Sequence, residues 1–205
     1  MFYDPHKPKA ITNRGFLPHW HQDRKVQYVT FRLGDSLPAT LRSQIKFQIE
    51  QFYILHPQPW DKDTQKEFYN IIDKRTEDYL DNGYGSCILK QKSIRDIVSK
   101  AIMYKDNVDY NVIAFVIMPN HVHLLIQPLE DNLLSNILHS IKRFTAASIN
   151  KALNRHGQLW MKESFDRIVR SPEHLNHYIE YIKNNPKNLP SDHYQLYVAL
   201  DKVWR

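Results

Sequence analysis

The chain has one cysteine, Cys87, in 205 residues. It can therefore form no intrachain disulfide, and a structural zinc site built from several thiolates is excluded. No apolar run approaches the roughly 18–20 residues that a membrane-spanning helix needs. The first residues, Met1-Phe2-Tyr3-Asp4-Pro5-His6, lack the basic and then apolar layout of a secretory leader. There is no internal repeat and no low-complexity tract. The expected compartment is the cytoplasm, with no membrane partner.

What is present is an ordinary globular balance, 42% hydrophobic and 24% charged residues, in a length that suits one domain with a terminal extension. Twenty-eight Lys and Arg against 22 Asp and Glu leave a net charge of +6. A mild positive excess suits a polyanionic partner without demanding one. Eleven histidines and twelve tyrosines raise a sharper question, which is whether any of them sit together.

The hydrophobic pattern predicts an α+β protein, a ferredoxin-like antiparallel sheet covered by helices, with a helical insertion. Residues 1–24 read as an irregular arm that packs late or not at all. Residues 25–33 alternate as a strand, with Val26, Tyr28, Thr30 and Arg32 on one face and Val29, Phe31 and Leu33 on the other. A helix is predicted over 38–56, with Leu41, Ile45, Ile49 and Phe52 inward. The insertion covers 57–85, and another helix covers 93–104. Residues 109–118 and 121–127 form a hairpin about Pro119-Asn120. A long helix over 133–154 presents Leu134, Ile137, Ile141, Phe144, Ser148 and Ala152, with Asp131 or Asn132 as its N-cap. A short extended piece (158–170) precedes a last helix over 173–184, stopped by Pro186. The catalytic domain is read as 25–190 and the C-terminal tail as 191–205.

His121-Val122-His123 is the most pointed feature. On a strand, alternate side chains share a face, so the two imidazoles stand about 7 Å apart at Cα and can converge on one cation. A His-x-His pair also arises by chance in a His-rich chain, but two polar rings within so apolar a run need partners or a purpose. On the last helix, steps of about 100 degrees per residue put Leu175, Tyr178, Ile179 and Ile182 on a core stripe. Tyr181 and Asn185 fall together on its flank, one turn apart. A tyrosine hydroxyl can attack a phosphodiester beside a metal ion, and an amide oxygen can complete the ligand set. A half-buried tyrosine and a helix C-cap account for the same spacing.

The string Met118-Pro119-Asn120-His121-Val122-His123-Leu124-Leu125 resembles the His-hydrophobic-His (HUH) motif of the IS200-like single-tyrosine transposases. Glu163-Ser164-Phe165-Asp166-Arg167-Ile168-Val169-Arg170 after Trp160, and Tyr181-Ile182-Lys183-Asn184-Asn185-Pro186, resemble the domesticated branch known as REP-associated tyrosine transposases. Tyr28-Val29-Thr30-Phe31-Arg32-Leu33 fits that branch's first strand. The likeness covers roughly residues 15 to 190. It implies a ferredoxin-like core and cleavage of single-stranded DNA beside hairpins through a 5′-phosphotyrosine. It also implies a divalent ion, Mg²⁺ or Mn²⁺. By position His121, His123 and Asn185 are then metal ligands and Tyr181 the nucleophile. Tyr178 is the weaker candidate, because the residue one turn on is Ile182. The resemblance also implies single-stranded DNA with hairpins as partner, a monomer or homodimer, and a nucleoid-associated place in the cytoplasm.

Seven basic residues between 142 and 170 (Lys142, Arg143, Lys151, Arg155, Lys162, Arg167 and Arg170) against two acids put +5 of the chain's +6 into one stretch. They read as a phosphate-tracking surface or a solvated face. Lys183 on the tyrosine helix joins them, and Trp160, with Trp20 second, is a candidate for stacking on unpaired bases. Two other functions fit the same residues. One is a hairpin-binding protein without significant cleavage; the other is a metal-dependent hydrolase of small phosphoesters.

Overall fold

A computed structural model of the chain describes residues 1–4, 10–13, 18–199 and 202. Two strands come first, β1 (Ala10–Asn13) and β2 (Pro18–His21), followed by β3 (Gln27–Arg32). Helices α1 (Ala39–Leu55), α2 (Lys62–Asp81) and α3 (Lys92–Met103) come next. Strands β4 (Tyr110–Ile117) and β5 (His121–Pro128) form the hairpin expected from sequence. Then come α4 (Leu134–Ala152), β6 (Phe165–Ile168), α5 (Pro172–Asn184) and β7 (Gln195–Val198).

The main sheet has the order β6-β3-β5-β4-β7, and all its neighbours are antiparallel. Without β7, this is the strand order of the ferredoxin-like βαββαβ unit, as expected. Each face of the sheet has its own core. Val29, Phe31, Phe115, Val122 and Leu124 pack under α3 and α4. On the other face Tyr28, Val116 and Leu125 meet Leu175, Tyr178, Ile179 and Ile182 of α5. That helix starts on Ser171, whose hydroxyl accepts from the His174 amide at 3.2 Å, with Pro172 in the first turn where its missing N–H costs nothing.

Helices α1 and α2 share a separate small core of Leu41, Ile45, Ile49 and Phe52 against Trp60, Phe68 and Leu80. The insertion returns to the sheet through a turn at Gly85, whose φ is +95°. A Cβ there would stand 2.6 Å from the Asp35 carbonyl oxygen, so only glycine fits.

Four expectations need correction. The described start of the N-terminal arm is docked: Val26 N–H donates to the Met1 carbonyl and Tyr3 N–H to that of Val169, while Gln22 holds the Asp4 backbone from both sides. Backbone pairing of this kind carries no periodic side-chain signal. The expected C-terminal tail supplies β7, an edge strand paired with β4 and too short to show alternation. Helix α4 has Leu133 as its N-cap and no side-chain cap bond, and it turns a different face inward: Phe144 is 57% exposed and Thr145 fully buried.

The fourth correction explains the third. Trp160, expected to stack on bases, is only 4% exposed. Its ring stands edge-on to Phe31 at 5.0 Å, and its indole N–H donates to Thr145 Oγ1 at 2.9 Å. A buried indole needs an acceptor, and that need turns α4 to present Thr145. The ring is therefore closed to DNA. Trp160→Ala should destabilise the fold by about 3–5 kcal/mol in urea unfolding, and the loss should be the same with or without DNA.

Candidate active site

β5 is the middle strand, and Val122 and Leu124 commit one of its faces to α3 and α4. His121 and His123 must then share the α5 face, and both are essentially buried, at 0% and 2% exposure. Register puts Arg32 opposite His121 and Thr30 opposite His123. The strand face read from sequence as Tyr28, Thr30 and Arg32 thus lies alongside the histidine pair.

Each ring is held through its Nδ1. Asn120 Nδ2 donates to the Tyr84 carbonyl at 3.0 Å, which turns Asn120 Oδ1 to His121 Nδ1 at 2.7 Å. An amide oxygen only accepts, so His121 Nδ1 carries the proton and Nε2 presents a lone pair. His123 Nδ1 lies 2.6 Å from Tyr28 Oη and 2.9 Å from Thr30 Oγ1. The two Nε2 atoms face each other at 2.9 Å. Two lone pairs at that distance repel unless a proton or cation lies between them. Two adjacent ligands of an octahedral ion at about 2.1 Å would stand about 3.0 Å apart. Burial pushes the His121 pKa down to about 3, with the Arg32 charge adding to the effect. Burial, and then the neighbouring His121, hold His123 well below the ordinary histidine value. Both rings are therefore neutral at physiological pH, the form that binds metals.

Tyr181 comes to this pair from α5. Its ring stands edge-on to His123, centroids 5.2 Å apart, and edge-on to Tyr28 at 6.0 Å. Tyr178 is buried at 5% exposure and stacks on Tyr28 at 4.2 Å, as its place on the core stripe requires. Tyr181 is half-buried. Asn185, the C-cap of α5, donates its backbone N–H to the Tyr181 carbonyl. Its side-chain Oδ1 is buried without a hydrogen-bond partner, an arrangement that calls for a ligand. Among the described residues no group of three His, Cys, Asp or Glu is placed to hold a metal ion. A metal here would take two imidazoles and neutral oxygen.

His123, Tyr181, Tyr28 and Thr30 line a cleft of about 630 Å³ between the sheet and α1. Of the basic residues singled out in the sequence, Arg167 lines it, its guanidinium 4.1 Å over the Tyr69 ring and 4.8 Å over Phe165. Lys142 has another task. Its ammonium donates to the Met161 and Lys162 carbonyls and Ser164 Oγ, at 2.6, 3.0 and 3.2 Å, which fastens the 161–164 segment at the cleft wall. Arg143 and Lys162 are exposed and line a second groove behind that segment. Arg170 donates to Gln65 Oε1 at 3.1 Å, and Lys183 pairs with Glu180 at 2.7 Å. Those two residues, with Lys151 and Arg155 at the end of α4, are not part of the cleft lining.

Sequence reasoning missed the cleft's other basic wall, Arg42 and Lys46 on α1, and Arg32 at its floor. It also missed Asn120, Tyr28 and Thr30 as supports of the imidazoles. The i, i+4 spacing of Arg42 and Lys46 was an available signal, and so was the strand face that carries Arg32.

The model of the IS200-like transposase family matches residues 84–185, a span that contains both histidines, Tyr181 and Asn185. Two solved structures are similar to part or most of the chain. One is a REP-associated tyrosine transposase bound to a REP hairpin, at 15% identity and a TM-score of 0.46, covering 83% of this chain and 71% of that one. The other is a protein from Deinococcus radiodurans R1 assigned as a transposase, at 14% identity and a TM-score of 0.38, covering 85% and 96%. No curated protein matches the chain.

The buried neutral imidazoles make stability depend on acid. Below the ordinary histidine value of 6.5 the unfolded chain binds protons that folded His121 refuses until about pH 3. In that window the unfolded state holds more protons, so stability falls as pH falls. In chelator, urea midpoints measured from pH 6.5 downward should drop, and His121→Gln should flatten the slope by up to about 1.4 kcal/mol per pH unit.

Proposed function

We propose that this chain, which belongs to the IS200-like transposase family, is a metal-dependent single-stranded DNA endonuclease and strand-transfer enzyme. It cuts beside hairpins of the REP palindrome kind through a 5′-phosphotyrosine. The observation that carries the reading is the convergence of the two Nε2 atoms beside Tyr181 in an open, basic cleft. A half-buried core tyrosine has no need of such neighbours.

His121, His123 and Asn185 would hold the divalent ion, Mg²⁺ or Mn²⁺. Their fit rests on the facing Nε2 atoms and the orphaned Asn185 Oδ1. Bound there, the ion supplies charge neutralisation and polarisation of the scissile phosphate. Imidazole is softer than Mg²⁺ prefers, so phosphate oxygens and water would be needed beside these three residues. The chain's own residues do the rest. Asn120, Tyr28 and Thr30 hold the rings through Nδ1 and keep Nε2 forward, the supporting role that ligand histidines depend on.

Tyr181 Oη forms a bond to phosphorus as the bond from phosphorus to the 3′-oxygen breaks. The phenol proton passes to solvent and the 3′-oxygen takes one up. One phosphodiester replaces another, so the step is reversible and needs no nucleotide cofactor. Arg42, Lys46 and Arg167 on the cleft walls face the charged backbone and position the strand. Lys142 keeps the wall at 161–164 in place.

The test uses a fluorescent DNA hairpin with randomised single-stranded flanks, in Mn²⁺. Wild-type protein should form a covalent adduct stable in denaturing gels, and Tyr181→Phe should abolish it while retaining hairpin binding. An adduct that persists in Tyr181→Phe would remove this tyrosine from the reaction. Hairpin binding by wild type with no adduct would favour a binding protein without cleavage. Asn120→Ala should raise the Mn²⁺ needed for half-maximal cleavage about 10–100-fold, read by metal titration.

A further inference from the structure

Arg32 lies at the floor of the cleft on β3, directly across the ladder from His121. One N–H of its guanidinium donates to Ser36 Oγ at 3.2 Å. Among the described residues no carboxylate comes within ion-pair distance of it, and Glu163 acts on it only from farther away. Besides Glu163, the cleft that it lines holds His123, the phenols of Tyr28, Tyr178 and Tyr181, and the cations Arg42, Lys46 and Arg167 on the walls. Burial and the nearby Arg42 lower its pKa to about 10, so it still carries its proton at neutral pH.

A cation withdrawn from water without a counter-ion is unfavourable for the fold alone. The opposite face of β3 lies in the core under α3 and α4, so the register with β5 keeps the guanidinium on the cleft side. Ser36 turns the planar fork without neutralising it. The remaining donors share the cleft with Tyr181. Of the side chains that could bind an anion there, guanidinium presents paired donors that match two phosphate oxygens.

We propose that Arg32 is a catalytic residue that donates to a non-bridging oxygen of the scissile phosphate and stabilises the charge gathered there as Tyr181 attacks. This assignment rests on the transposase reading and adds to it a protein group for the transition state. Arg32 stays protonated throughout; the Tyr181 oxygen–phosphorus bond forms and the phosphorus–3′-oxygen bond breaks without a proton from it. Its donors are fixed before the strand arrives, so little reorganisation accompanies the charge build-up.

The experiment compares wild type, Arg32→Gln and Arg32→Lys as full chains, with the fluorescent hairpin and Mn²⁺ used above. A second substrate carries a neutral methylphosphonate at the cut position. Arg32→Gln should slow adduct formation by about 100–1,000-fold while hairpin affinity changes less than about threefold. Arg32→Lys should recover part of the rate, because a point charge replaces the fork. On the methylphosphonate, wild type and Arg32→Gln should react at similar rates, since the oxygen charge that Arg32 meets is gone. A structural role would lower both substrates equally and would overturn the proposal, as would an Arg32→Gln rate near wild type. If Arg32→Gln melts early, Arg32→Lys on the two substrates makes the same comparison. Should Tyr181→Phe still form adducts, the transposase reading fails by its own result, whatever the Arg32 variants do.

Discussion

The pairing of β3 with β5 is the constraint on which the site depends. Six residue pairs join the strands, from Gln27 opposite Ile126 to Arg32 opposite His121. Because side chains alternate, one register sends Val29, Phe31, Val122 and Leu124 to α3 and α4, and Tyr28, Thr30, Arg32 and both histidines to the other face. A slip by one residue would bury a guanidinium and two imidazoles among leucines. The hydrophobic core therefore fixes the polar site with the same interaction that stabilises the sheet.

Support then spreads outward in layers. Asn120 closes the hairpin turn and orients His121, and its own amide is held by Tyr84 at the exit of the helical insertion. Tyr28 hydrogen-bonds His123 and stacks on Tyr178, so a single phenol ties β5 to α5. Lys142 secures the wall between the cleft and the groove behind it. These contacts explain how a pocket of polar groups stays ordered inside an apolar sheet: both imidazoles and the 161–164 wall are tied by local hydrogen bonds.

Much of this was legible in sequence because it follows period. The stripes of α1 and α5, the hairpin and the shared face of His121 and His123 all repeat every two or every three to four residues, and all hold. The inward face of α4 does not follow from period, since Phe144 and Thr145 are both compatible with a helical stripe and only Trp160, fifteen positions on, decides between them. Basic residues were the least legible. A run of Lys and Arg along the chain says nothing of direction: Arg167 reached the cleft, Lys142 turned to backbone carbonyls, and Arg32, Arg42 and Lys46 arrived from outside the basic 142–170 stretch. The docked arm and β7 use backbone bonds, which leave no mark on residue type.

The residues that would hold metal and those that would attack are far apart in the chain. His121 and His123 lie on the central strand, Tyr181 and Asn185 near the end of the last long helix, and Tyr28 between them comes from the first strand of the main sheet. No local segment contains a working subset. A reactive phenol beside a phosphate-gripping centre would be a hazard in a half-made or unravelling chain, because it would cut genetic material. Here the centre exists only when the beginning, middle and end of the domain are assembled, so folding itself acts as the safety catch.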